Sequence, residues 1–435
     1  MIGTMLIAGA LAIPVLIYLL DHPLLTLNAA LVLVLLPVGL RVEPLYTVAT
    51  NGMVLSALAG WMARPDRHSH WPAACVLLAL LIGWAVLTMF WAADPVASRR
   101  ELIAWLISFI LLFLLICQVD SLRALDRLMM TMGLFGWMIV LASFHAVLFT
   151  NYDFVRRLRV LEMNENSLGV VLLLMLPGIL WPVLRSTGLR RAVLMVLSVV
   201  YILCTLAFVA LSGSRGSAIS LVLILFAFLL SRSTRPWGLV GLALGAGGLM
   251  VAPALFSIVL QRFSEEDGGE TGGRGDLWEA SLNFIRDQPF TGAGVGNGPT
   301  ALHDYIASIT GIFNHRMDLP SHQPILEVGV DIGVVGIALY VAAILAALWS
   351  FATSRRAWAG IPGAPDGYHM IVAGTAAGFM GSWFKAGGIK NNPIFFLLLA
   401  LLLLPACLAR AQARSRAGRA RGAARPFRRL EAADA

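Results

Sequence analysis

Pro393-Ile-Phe-Phe-Leu-Leu-Leu-Ala-Leu-Leu-Leu-Leu-Pro-Ala-Cys-Leu-Ala409 carries no charge, and Arg410-Ala-Gln-Ala-Arg414-Ser-Arg416 follows it directly. A helix crosses the hydrocarbon core of a bilayer in about 20 residues, so this run reads as a crossing whose end meets an anionic inner leaflet. Twelve further apolar runs lie upstream, at 2–20, 24–40, 44–63, 71–92, 102–118, 128–150, 167–184, 192–211, 217–231, 237–260, 324–352 and 368–384. The first three are crowded. Two cytoplasmic termini require an even number of crossings, so one early run lies in the interface or merges with its neighbour.

Over the 435 residues, 59% are apolar and 13% charged, against roughly 45–50% and 25% in a soluble domain. A soluble globular protein is excluded. The expected fold is an all-α polytopic membrane protein with about twelve transmembrane helices and one large, partly helical outer loop. Four segments follow: transmembrane helices with short loops at 1–260, the loop at 261–323, C-terminal transmembrane helices at 324–409, and a basic tail at 410–435. Met1 to Leu20 lacks both a basic leader and a small-residue cleavage site, and reads as a retained helix.

Residues 410–435 hold eight arginines against Glu431 and Asp434, which accounts for six of the eight net positive charges. Directly after a membrane run, such a tail suits inner-membrane lipids and not nucleic acid. Lys385 and Lys390 are the only lysines. Cys75, Cys117, Cys204 and Cys407 lie within apolar runs and have neither disulfide nor metal-ligand spacing.

Short cytoplasmic loops carry an excess of Arg and Lys. With the tail inside, the loops at 64–70, 119–127, 185–191, 232–236 and 353–367 are cytoplasmic, each with at least two arginines. The 261–323 stretch then falls outside. So do Arg99, Arg100, Arg156, Arg157, Arg159, Arg215 and Arg274, against the topogenic preference, and cations placed there have anions to hold or acids to pair with. For Arg99 and Arg100, pairing with Glu101 and anion binding weigh equally; for the 156–159 trio the available acids are Asp153, Glu162 and Glu165. Arg215, in Leu211-Ser-Gly-Ser-Arg-Gly216, has no acid near it in sequence, and a charge at a membrane edge marks function.

In the loop, Arg274-Gly-Asp-Leu-Trp-Glu-Ala-Ser-Leu-Asn-Phe-Ile-Arg286 places apolar residues at 277, 280, 284 and 285, the pattern of an amphipathic helix. Trp278 lies one turn beyond Arg274 and suits an interface anchor. Gly292-Ala-Gly-Val-Gly-Asn-Gly298 has no preceding strand, so it is a tight turn with close backbone approach and not a dinucleotide fingerprint. His303, His315 and His322 are spaced too widely to make a convincing zinc site. His322, in Leu319-Pro-Ser-His-Gln-Pro324, precedes an apolar run whose helix would start at Pro324. The positive helix end favours neutral imidazole, the form a general base needs, and a capping role is the alternative. Glu327 and Asp331 share a face one turn apart, where positioning an Arg or His322 is their expected task.

Taken together, Ser214-Arg215-Gly216, Arg274 with Trp278, Gly292 and Gly294, and His322 followed by Glu327, Gly329, Gly333 and Gly336 resemble the O-antigen ligase and polymerase superfamily. The chain has Gln323 where that family often has Asn, and Glu165-Asn166 where it often has Pro-Asn. The resemblance implies transfer of a glycan from an undecaprenyl pyrophosphate carrier to the lipid A core at the periplasmic face of a bacterial inner membrane. Departure of a pyrophosphate needs cations, and Arg forks can supply them. With no Asp-x-Asp motif, no metal and no cofactor is expected. The catalytic set is then His322 as base with Arg215 and Arg274 on the pyrophosphate. Arg156, Arg157, Arg159, Trp278, Gln323 and Glu327 form the substrate-binding set. An O-antigen polymerase and a protein O-oligosaccharyltransferase share these features. A transporter would gather its charges near the midplane instead.

Overall fold

The computed structural model describes residues 18–42, 45–65, 69–150, 152–153, 156–264, 274–310, 319–383 and 392–431. Most of the 2–20 run, the stretch 265–273, His315, Lys385 and Lys390 lie outside them. Helices dominate, and no strand occurs among the described residues. In chain order they are α1 (Pro23–Leu35), α2 (Leu45–Met62), α3 (Ala73–Thr88), α4 (Pro95–Gln118), α5 (Leu122–Phe149), α6 (Glu165–Leu174), α7 (Leu176–Arg185), α8 (Gly188–Ser212), α9 (Arg215–Leu229), α10 (Arg235–Val251), α11 (Pro253–Ser264), α12 (Gly275–Asp287), α13 (Gly298–Ala301), α14 (His303–Thr310), α15 (Pro324–Ala359), α16 (Tyr368–Trp383) and α17 (Pro393–Glu431).

Seven stretches among the described residues are long and apolar enough to cross a membrane: Ala73–Trp91, Pro95–Gln118, Leu122–Phe149, Glu165–Arg185, Gly188–Ser212, Pro324–Ala359 and Pro393–Ala417. The run expected as one crossing at 237–260 is bent by 98° between α10 and α11, and it makes an eighth crossing if counted as one. Pro253 explains the bend, because it lacks an amide donor and clashes with the preceding turn. Apolar helices α1 and α9, of 13 and 15 residues, fall short of the usual span. Along α5, Leu134, Leu141 and Leu148 are 64–66% exposed in a single stripe. Apolar surface arrayed this way is unfavourable in water and natural in lipid.

The bundle has two distinct ends. At one, Arg185 bonds Asp126 (3.2 Å) and the Gly363 carbonyl (2.6 Å), Gly367 abuts Leu184 and Ser233, and Arg410 bonds His70 (2.9 Å). Thus the basic loops and the start of the tail gather together. The other end collects the α3–α4 connection, residues 156–166, the α8–α9 turn, residues 274–310 and residues 319–323. Helix α9, which carries Arg215, is held along α16 by small residues: Gly378 approaches Ser220 and Ile224, and Ser220 bonds Ser382 (2.8 Å). Such small-residue contacts let membrane helices approach closely where lipid provides no hydrophobic drive.

Helix α15 is broken inside the expected 324–352 run, at Ile332 (φ −136°, ψ 17°) and Gly333 (φ 72°, ψ −174°). A break frees backbone groups that apolar surroundings cannot satisfy. Trp84 Nε1 donates to the Ile332 carbonyl (2.8 Å), and the Val334 amide donates to the Pro289 carbonyl (2.7 Å). Only glycine adopts the Gly333 conformation readily, and a Cβ there would lie 2.5 Å from the Phe290 carbonyl oxygen. Gly333→Ala is therefore expected to lower stability by about 1–3 kcal/mol from backbone strain alone. The melting temperature of the detergent-solubilised variant measures this, and an unchanged value contradicts it.

Candidate active site

The site is assembled from three turns. The first joins α8 to α9. Gly213 ends α8 in the left-handed region (φ 61°), and Ser214 caps α9 by accepting from the Ser217 amide (3.2 Å), which sets Arg215 at the first helical position. Residues 157–158 clamp this turn: Arg157 Nε donates to the Ser212 carbonyl and the Leu158 amide to the Leu211 carbonyl, both at 2.9 Å. Arg157 also donates to Asn166 Oδ1 (3.1 Å), and the buried Glu165 binds Arg159 (2.6 Å) and faces Arg157 (3.8 Å). Two of the trio are thus engaged with the first turn of α6. Arg156 is 85% exposed and only 3.9 Å from Asp153, a separation and exposure at which an ion pair contributes little.

The second turn precedes α12. Arg274 occupies the N-cap position, and α12 is amphipathic as its spacing predicts, with Leu277, Ala280, Ser281 and Phe284 buried. Leu277, Ala280 and Phe284 pack with Leu302, Ile306 and Val330 into a small core of their own. Trp278 joins this core instead of standing apart as an interface anchor. Its indole N–H is buried without a partner among the described residues.

The third turn bears His322. Its backbone is left-handed (φ 54°), a conformation that costs a non-glycine residue about 1–3 kcal/mol and collects at functional sites. The helix cap belongs to Gln323, whose Oε1 accepts from the Leu326 amide (2.6 Å). The alternative role for His322 is therefore taken by its neighbour, and the imidazole has no hydrogen bond among the described residues. Gln323, expected to bind substrate, has its side-chain oxygen engaged in that cap.

These turns converge. Burial and then the Arg215 charge hold Arg274 below the ordinary guanidinium value, and burial and then the Arg274 charge hold His322 below the ordinary imidazole value. Arg274 thus lies within charge–charge reach of both Arg215 and His322, and no carboxylate pairs with either Arg among the described residues. Two guanidiniums held together without a carboxylate make an anion site, and the neutral imidazole next to them can accept a proton.

The buried Glu327 lines a cavity of about 280 Å³ with Glu101, Ser321 and Asp331. Asp331 reaches the end of the glycine turn. Its Oδ1 accepts from the Gly298 amide (2.9 Å) and holds the start of α13. Glu101 lines this cavity and accepts from Trp105 (3.4 Å), and among the described residues no ion pair joins it to Arg99 or Arg100.

The glycine turn at 292–298 approaches protein. Added Cβ atoms at Gly292, Gly294 and Gly296 would lie 2.5–2.9 Å from Asp331, Ala92 and Glu101. Sequence reasoning assigned nothing to Trp91, Asp94, Ser98 or Asn297, whose bonds fasten this turn. Trp91 Nε1 donates to the Thr291 carbonyl (3.0 Å), the Asp94 amide to Asn297 Oδ1 (2.7 Å) and Ser98 Oγ to the Val295 carbonyl (2.7 Å). The glycine spacing was the only signal, because the partners lie about two hundred residues away.

Comparison with known proteins gives one family match: residues 199–341 fit the O-antigen ligase family model. The matched stretch runs from α8 past the break in α15. No curated protein matches the chain. For the third of the chain that carries Arg215, Arg274 and His322, the match bears out the resemblance to the O-antigen ligase superfamily.

Proposed function

We propose that the protein is an O-antigen ligase: a glycosyltransferase that moves a glycan from undecaprenyl pyrophosphate to a sugar of the lipid A core. The reading places about twelve crossings in the bacterial inner membrane and the site at its periplasmic face. One observation carries it, the convergence of two carboxylate-free guanidiniums and a neutral imidazole within the family-matched segment. The lipid-linked pyrophosphate lies at the membrane edge between Arg215 and Arg274. The acceptor hydroxyl oxygen attacks the anomeric carbon as the carbon–oxygen bond to phosphate breaks. His322 takes the hydroxyl proton, undecaprenyl pyrophosphate leaves, and the anomeric centre inverts. The guanidiniums neutralise the charge that develops on the leaving group, the role a metal ion plays in other transferases.

The test is reconstitution. Purified protein receives lipid-pyrophosphate glycan with lipid A core, with a second lipid-linked glycan, or with an acceptor protein, each with and without chelator. Glycosylated lipid A core of inverted configuration, undiminished by chelator, is expected. Extension of the second lipid-linked chain alone would make the protein a polymerase, and loss of activity with chelator would remove the metal-independent step.

A further inference from the structure

The first turn of α6 lies between the Arg215 turn and a cavity. On one face Asn166 meets Arg157 and accepts from Ser217, on the side of Arg215. On the other, Asn164 and Ser167 open onto a cavity of about 620 Å³, bounded by the end of α1, the start of α2 and residues 100–108 of α4. Its walls are divided. Ile103, Ile107 and Val171 are apolar, whereas Arg41 and Arg100 bring two cations. Neither has a carboxylate partner among the described residues. Arg41 is held by the Leu36 carbonyl (2.8 Å) and lies 4.5 Å from the Tyr46 ring centroid. Thr50 lines the same cavity; it is 6% exposed, and its hydroxyl has no partner among the described residues. A buried hydroxyl left so is costly unless a ligand oxygen completes it. Glu162, exposed on the wall, would repel a free anion and can accept from sugar hydroxyls.

Cations, a hydroxyl acceptor and an apolar wall together describe a phosphorylated glycolipid. A soluble nucleotide would leave the apolar wall bare, and an ordinary phospholipid would leave Glu162 facing its phosphate. We propose that this cavity holds the acceptor, with a lipid A phosphate between Arg41 and Arg100 and an acyl chain along Ile103, Ile107 and Val171. Donor and acceptor then approach the site from opposite faces of α6. Naming the occupant as acceptor rests on the proposed transfer reaction; the binding site itself does not.

Binding is measured without turnover, on protein in phosphatidylcholine nanodiscs, by native mass spectrometry. The probes are lipid A core, the same lipid stripped of its phosphates, phosphatidylglycerol and undecaprenyl pyrophosphate. Arg100→Gln, at an exposed position, is expected to weaken lipid A core about ten- to a hundredfold, the weight of one charge-assisted hydrogen bond. The stripped lipid should bind weakly to wild type and variant alike, and undecaprenyl pyrophosphate should be unaffected. Thr50→Val should weaken lipid A core and Thr50→Ser restore it. Unchanged lipid A core affinity in Arg100→Gln overturns the proposal. So does a loss that falls on undecaprenyl pyrophosphate instead, or phosphatidylglycerol binding as tightly as lipid A core. Should lipid A core bind through Arg100 while a different acceptor is glycosylated in the reconstituted reaction, the proposed function fails and the glycolipid site stands.

Discussion

His322→Asn loses about 10²–10⁴ of turnover, the usual weight of a general base, and keeps its affinity for the donor. Asparagine is the informative substitution because His322 sits at φ 54°, a conformation Asn tolerates better than Ala. The backbone therefore stays put while the base is removed. The cap also survives, since it belongs to Gln323, so a loss of rate cannot be blamed on fraying of α15. Donor affinity is retained because the pyrophosphate rests on Arg215 and Arg274. In wild type, turnover should rise with pH through a value below 6.5 and level off above it, because burial and Arg274 disfavour the imidazolium. Near-normal ligation by the purified Asn variant would remove His322 from the chemistry.

Arg274→Gln costs about 10²–10³ in turnover, the price of one electrostatic contact to a developing anion. It also moves the acidic limb of the pH profile upward. The sign follows from the neighbours: Arg274 opposes protonation of His322, so without it the imidazole binds a proton at higher pH and the base form is lost sooner on acidification. Arg274→Lys separates the two effects. It keeps the charge that holds the limb in place and gives up the bidentate fork, so the rate falls with little movement of the limb. Arg215→Gln should lower the rate by a similar factor. A limb that stays fixed in Arg274→Gln would show that the two groups are not coupled in the working enzyme.

Legibility in the sequence tracked physical cost. Apolar runs were plain because a membrane imposes their length, and the basic loops were plain because they resist translocation. Arg215 and Arg274 stood out for the same reason, as cations where topology would not place them, and His322 because it directly precedes the helix that starts at Pro324. The breaks were harder. Pro253 carries its own signal, but Gly333 is one of several glycines in its helix, and what makes it a break is Pro289, Phe290 and Trp84, which close around it. Local pattern also left neighbours open: the cap that was the alternative role for His322 falls to Gln323, and Asp331 bonds the start of α13. The pairing of Arg159 with Glu165 was among the alternatives that composition alone left open.

The break in α15 also divides the helix by allegiance. Its first part, ending at Asp331, sends Val330 into the small core and bonds α13 and the glycine turn while Ile325 and Val328 pack on the main core, whereas beyond Val334 residues such as Tyr340, Ala343 and Ala347 lie in the main core alone. His322 and Arg274 ride on the first body, and Arg215 on the second. The smaller body has a smaller core, and regions with few buried contacts open first. Heating should therefore part the charges before the bundle melts, so the thermal limit of this site is set at the seam between the two bodies.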